Sequence, residues 1–157
     1  MLNTGQTYMG NKSTRCYAVD VGYSRRNKAY YFYFSNGGSD FGVMKATTPS
    51  LSDAVDELKR PLATHASVGN LTQPYDPTVL IDDDENSTAY IVFGLHMQGS
   101  VYLIAKLDES MQGFAEPPKP VVFLPSPIDN STMHFNDKST LYVITSIYIY
   151  IFETRTY

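Results

Sequence analysis

Lysine and arginine are sparse and scattered in this chain: 12 of them stand against 16 acidic residues, giving a formal net charge of −4, and no basic run exceeds the Arg25-Arg26 pair. That distribution lacks the electrostatic footprint a nucleic-acid partner requires. Cysteine occurs once, at Cys16, so no disulfide closes within the chain. The opening stretch MLNTGQTYMG has neither the basic region nor the apolar run of a secretory signal. The apolar stretch STLYVITSIYIYIF carries hydroxyls throughout and falls short of bilayer length. Neither an export leader nor a membrane partner is expected. His65, His96 and His134 stand alone, with no H-x-x-x-H pair, so no metal is implied. No G-x-S-x-G elbow, phosphate-cradling loop or dinucleotide fingerprint occurs, and SNGGSDFG fits none of their spacings. Serine hydrolase and nucleotide enzyme readings fall away, and no cofactor is expected.

What the chain does have is short runs of Tyr, Phe, Val, Ile and Thr bounded by Asn, Gly, Asp and Pro, which is strand punctuation. At 157 residues and 43% hydrophobic content it can bury a core of single-domain size. Strands are predicted at AVDVGY from Ala18, AYYFYF from Ala29 and FGVMKA from Phe41. Asn27 is expected to take a left-handed turn conformation in SRRNK, and Asn36-Gly37-Gly38 to form the next turn. The pattern returns in YDPTVLI from Tyr75, AYIVFG from Ala89, VYLIAKL from Val101 and KPVVF from Lys119. A third start follows in DKSTLYV and IYIYIF. Asp20, Asp76 and Asp137 open the three groups at intervals of 56 and 61 residues. Four-stranded units repeating at such intervals mark a β-propeller, though the period exceeds that of the commonest propeller repeats. Propensity and spacing alone license an all-β repeat protein, a single domain over 1–157 with blade-like units at about 16–62, 74–124 and 135–157. One segment departs from this pattern. SLSDAVDELKRP spaces Leu51, Ala54, Val55 and Leu58 helically, with Ser50 and Asp53 in capping-box positions, and predicts a short helix or helical turn. GFAEPPKPV reads as an extended, proline-rich connector.

Two polar features need an explanation. Asn11, Asn70, Asn86 and Asn130 each begin an Asn-x-Ser/Thr triplet, which is either chance in a polar, loop-rich chain or the mark of a glycosylated secreted protein. YDPTVLIDDD places four aspartates within ten positions. Asp82, Asp84 and Asn86 have calcium-loop spacing, but Ser87 stands where such a loop needs glycine and Phe93 where it needs glutamate. Asp82, Asp83 and Asp84 follow a strand and are expected at a hydrated turn.

The series CYAVDVGY, AYYFYFSNGGSDFGV, KRPL, YDPTVLIDDD, TAYIVFG and YLIAKLDESM resembles glycoside hydrolase family 43 from about Cys16 to Phe123 and departs from it after Pro125. The resemblance implies a five-bladed β-propeller and inverting hydrolysis of xylosides, arabinosides or galactans, with an oligosaccharide or polysaccharide as substrate. In that chemistry one carboxylate activates water, a carboxylic acid protonates the leaving oxygen, and about 6.5 to 9.5 Å separates them. A third acidic group keeps the acid's pKa high. By resemblance Asp76 matches this modulator and Asp137 falls in the register of the general acid, although the family has glutamate there. Asp20 matches an aspartate near the cleft, Tyr17 replaces a tryptophan beside it, and Tyr17, Tyr75 and Asp20 would line the substrate cleft. The general base precedes CYAVD in the family, and the residues from Met1 to Arg15 contain no Asp or Glu. The implied base is therefore absent, and a fragment beginning at the second blade is expected, either a weak hydrolase, a noncatalytic glycan-binding remnant or an inactive truncated product. Open propeller edges would favour self-association.

Overall fold

The computed structural model describes residues 7–9, 16–36, 40–70, 73–94 and 101–121, all within one compact unit, Met1–Val121. The expected third blade-like unit, 135–157, lies outside the described residues. So do His96, His134, Asp137 and the Asn36-Gly37-Gly38 turn beyond Asn36.

Among the described residues, eight strands form two four-stranded antiparallel sheets, each a meander in chain order. Sheet 1 comprises β1 (Tyr17–Ser24), β2 (Ala29–Ser35), β3 (Asp40–Ala46) and β4 (Ala63–Thr64). Sheet 2 comprises β5 (Thr78–Ile81), β6 (Ala89–Phe93), β7 (Leu103–Lys106) and β8 (Lys119–Pro120). Seven of the eight strands fall on runs predicted from their aromatic and β-branched content. β4 has two residues, too few to carry a periodic signal, and lies just past the expected end of the first unit.

Alternation along each strand splits the side chains between two faces. Tyr31, Tyr33, Phe41 and Val43 of sheet 1 pack with Ile91, Phe93, Leu103 and Ala105 of sheet 2 in one buried core. Phe41 and Phe93 meet at its centre with ring centroids 5.0 Å apart. The contact is close enough at Gly22 of β1 that a Cβ there would lie 3.0 Å from the Ile81 side chain. The other face of sheet 1 carries Phe32, Phe34, Met44 and Ala46, covered by Tyr8 and Met9. That cover stops short of β1, whose Val19, Val21 and Tyr23 are 44%, 47% and 43% exposed.

Two expectations are corrected, and a third is met in its shorter form. In the β1–β2 turn the left-handed residue is Lys28 (φ 49), not Asn27. Asn27 instead spends its side-chain amide on the Tyr31 hydroxyl (3.0 Å) and the Glu109 carbonyl (2.9 Å), tying the turn to the second sheet. The expected short helix or helical turn after Thr48 is present as a 3₁₀ turn at Leu51–Asp53, capped by Ser50, before Val55 bridges back to Lys45. Its aspartates explain why it goes no further. Asp53 turns away from the cap to accept from Thr47 and Thr48, and buried Asp56 accepts from the Tyr8 and Lys59 amides at 2.6 and 2.8 Å. Those backbone partners compete with helix continuation. The aspartate spacing is corrected as well. The structural repeat is 61, 60 and 63 residues, from Tyr17 to Thr78, Ala29 to Ala89 and Asp40 to Leu103. Asp20 is the fourth residue of β1 whereas Asp76 precedes β5, so the two are not equivalent positions.

Hydrogen bonds from the Thr47 and then the Thr48 hydroxyl hold the Asp53 carboxyl down to about 2 from its ordinary 3.8. Because the folded value is depressed, this contribution to stability is complete above 3.8 and disappears as pH falls through about 2. Carbon-13 titration of the Asp53 carboxyl should show that low midpoint, and Thr47→Val should move it upward. An unperturbed midpoint in the parent chain would contradict the turn.

Candidate functional site

β1 and β5 are the first strands of their sheets and lie side by side. Of the residues marked by resemblance, Tyr17, Asp20, Tyr75 and Asp76 gather where these two strands begin. Asp76 sits two residues ahead of β5 with φ 45 immediately before Pro77. A residue preceding proline is pushed towards extended backbone, and a side chain beyond glycine in the left-handed region costs about 1 kcal/mol or more. The conformation is held from outside: the Asp76 amide donates to the Ser35 hydroxyl at 2.9 Å, and the Tyr75 carbonyl accepts from Gly94 at 2.9 Å. Pro74 and Pro77 on either side are fully buried. The Asp76 side chain is half-buried.

A β-bulge brings the partners from sheet 1. Tyr17 pairs with Ser35 and Asp20 with Tyr33, so β1 spends three steps against two of β2. Ala18 absorbs the extra residue at φ 44. Residues three apart on a regular strand face opposite ways. The bulge puts Tyr17 and Asp20 on the same face, towards sheet 2. Tyr17 consequently meets Tyr75 with ring centroids 6.5 Å apart and stays 42% exposed, forming an open aromatic surface beside Asp76. Burial, and secondarily the Asp76 charge, push the Tyr75 phenol above its usual value.

Asp20 has another task. Its two carboxylate oxygens accept from the Val79 amide (2.8 Å) and from its own strand's Val21 amide (2.9 Å). It therefore clamps the first strands of the two sheets together, a role that sequence analysis could not separate from sugar contact.

The run of three aspartates lies at the other end of β5. Asp84 accepts from the Thr88 amide and hydroxyl, both at 2.7 Å, which lowers its pKa, and Asp82 and Asp83 are exposed in the same turn. They are turn residues, as the sequence suggested. A cavity of about 210 Å³ also opens at that end, lined by Ser24, Arg26, Asn86, Lys106 and Glu109, with Arg26 paired to Glu109 at 2.6 Å. It shares no residue with the Asp76 cluster. Among the described residues no group of three or more His, Cys, Asp or Glu converges as a metal set.

Two consecutive four-stranded antiparallel sheets, packed face against face with their first strands adjacent, define neighbouring blades of a β-propeller. The comparisons with known proteins find the same arrangement in propeller enzymes of glycoside hydrolase family 43, to which this chain is similar. No family model matches the chain. An arabinoxylan arabinofuranohydrolase of Paenibacillus polymyxa is 40% identical over 67 residues, 41% of this chain and 10% of that protein. The family 43 arabinoxylan arabinofuranohydrolase of Bacillus subtilis, solved with cellotetraose, superposes with a TM-score of 0.60 over 73% of this chain at 21% identity. An alpha-L-arabinofuranosidase of Clostridium thermocellum gives 0.59 over 70% at 27% identity. The chain spans 26% and 36% of those two structures.

Proposed function

We propose that this chain forms the glycan-facing part of a glycoside hydrolase acting on plant-type polysaccharide, of the xylan, arabinan or galactan class. Asp76 is the modulator that keeps a neighbouring acid protonated in an inverting reaction, and Tyr17 and Tyr75 present aromatic faces to the sugar. The strained backbone of Asp76 carries this reading. A left-handed residue before proline, fixed by Ser35 and flanked by buried prolines, holds a carboxylate at the shared start of two inner strands, and strain of this kind concentrates at functional sites. Asp137 remains the proposed acid by register alone.

A second reading is favoured by the fate of Asp20, whose oxygens are committed to backbone amides and serve no water activation. In it the same surface holds glycan without cleaving it. Both readings require binding. Calorimetry with xylo- and arabino-oligosaccharides should give saturable heat, and Tyr75→Ala should weaken it roughly fivefold, in line with about 1 kcal/mol for an aromatic contact. No heat, or heat indifferent to both Tyr17→Ala and Tyr75→Ala, would remove the proposed surface.

The exposed Val19, Val21 and Tyr23 also support self-association, since an apolar strand edge left open invites pairing. Light scattering at micromolar concentration should show mass rising with concentration. A monodisperse monomer would exclude it.

A further inference from the structure

Ser35 follows AYYFYF and reads in the sequence as the first residue of a turn, yet in the structure it closes β2 and is fully buried. Its backbone pairs with Tyr17 of β1 and with Phe41 of β3, so two ladders fix its position. Alternation from Tyr31 and Tyr33 turns its side chain towards sheet 2. There the hydroxyl accepts from the Asp76 amide at 2.9 Å, 41 positions away. That amide belongs to the same peptide group as the Tyr75 carbonyl, which accepts from the Gly94 amide at 2.9 Å. One peptide unit is therefore gripped on both sides, its N–H by sheet 1 and its C=O by the residue just past β6 of sheet 2. Gly94 is itself fixed, since its φ is +150 and a Cβ there would lie 2.8 Å from the Val101 carbonyl.

This grip decides the conformation of Asp76. Turning the peptide plane over changes φ of Asp76 and ψ of Tyr75 together, and would carry Asp76 from φ 45 to the extended region that a residue before proline prefers. The turned plane would aim its N–H away from Ser35 and its C=O away from Gly94. We propose that Ser35 is a positioning residue for the site: its hydroxyl holds the Tyr75-Asp76 peptide against this flip, and so sets where the Asp76 carboxylate and the Tyr75 ring emerge. Without the hydroxyl, the amide loses this acceptor and the left-handed strain is no longer opposed from sheet 1. The backbone of Ser35 also carries Tyr17 through the β1 ladder, so both tyrosines and the carboxylate take their bearings from one buried serine. The consequence for glycan recognition rests on the reading of these three residues as the sugar-facing cluster, whereas the clamp itself does not.

The test is nuclear magnetic resonance of Ser35→Ala against the parent chain, with thermal melting as a check on folding. The Asp76 amide should exchange with solvent roughly tenfold faster, and the Asp76 Cα resonance should move upfield, to the position of extended backbone. Oligosaccharide affinity should fall with it. An unmoved Asp76 resonance in a folded variant overturns the proposal. Should Ser35→Ala fail to fold, Ser35→Cys nearly keeps the volume while leaving only a weak acceptor, and an unmoved resonance there overturns it equally. A moved resonance in a chain whose parent binds no xylo- or arabino-oligosaccharide retains the clamp and rejects the sugar-facing reading. Parent binding with an unmoved resonance does the reverse.

Discussion

The 157-residue polypeptide is expected to leave aryl xylosides and aryl arabinofuranosides uncleaved. Inverting hydrolysis needs a base to activate water and an acid to protonate the leaving oxygen, and each contributes about a hundred- to ten-thousand-fold. Asp76 as modulator supplies neither. In the proposed role it acts only by its charge on a neighbouring acid. Asp20 sits in the right region, but its oxygens are held by the Val79 and Val21 amides. By resemblance the base precedes CYAVD, and the stretch from Met1 to Arg15 has no carboxylate side chain. Release of the aryl group, followed by absorbance over about pH 5 to 7, checks this, since glycosidase acids and bases titrate around that range. Robust turnover that Asp76→Asn abolishes would show that the site is complete and that a different group activates water.

Replacing Phe93 by alanine should produce the largest loss of stability of any single change in the inter-sheet core. The ring is fully buried, tilted against Phe41 at 5.0 Å and stacked on Phe114 at 5.9 Å, so truncation opens a cavity touching both sheets and the proline-rich connector. Phe-to-Ala changes at such sites cost about 3 to 5 kcal/mol. Small domains hold about 5 to 15 kcal/mol in all, so the variant approaches the unfolding limit. Leu80→Ala, on a residue 45% exposed, should stay within about 0.5 kcal/mol of the parent. Urea unfolding by circular dichroism distinguishes the two, and a Phe93→Ala loss under about 1 kcal/mol would mean that the sheets do not share a core.

Strand positions were legible because half-buried pleated surfaces select Tyr, Phe, Val and Ile, and the runs at Ala29 and Ala89 carry little else. The hydrated turn at Asp84 was legible for a similar reason: its partner Thr88 is four residues away. What the sequence hid depends on contacts distant along the chain. Asp56 reads as one more acidic residue in a helical pattern, yet it is buried and accepts from Tyr8, 48 positions earlier. Asp20 bonds to Val79 across 59 positions, and nothing around Asp20 announces that its charge is spent on a backbone amide. The site shows the same division. Resemblance marked Asp76, Tyr17 and Tyr75. The strained backbone at Asp76, its clamp between Ser35 and Gly94 and the bulge that turns Tyr17 towards Tyr75 are properties of the folded chain.

The extra residue at Ala18 makes pairing and recognition respond differently to the same edit. A chain one residue shorter at that point would keep the ladder from Asp20 to Ser24 intact, because those pairs lie beyond the irregularity. Its Tyr17 phenol, however, would emerge on the solvent side of the sheet, away from Tyr75. The proposed sugar-facing pair therefore hinges on chain length at a single alanine, a feature that alignments scoring only residue identity would pass over as a gap.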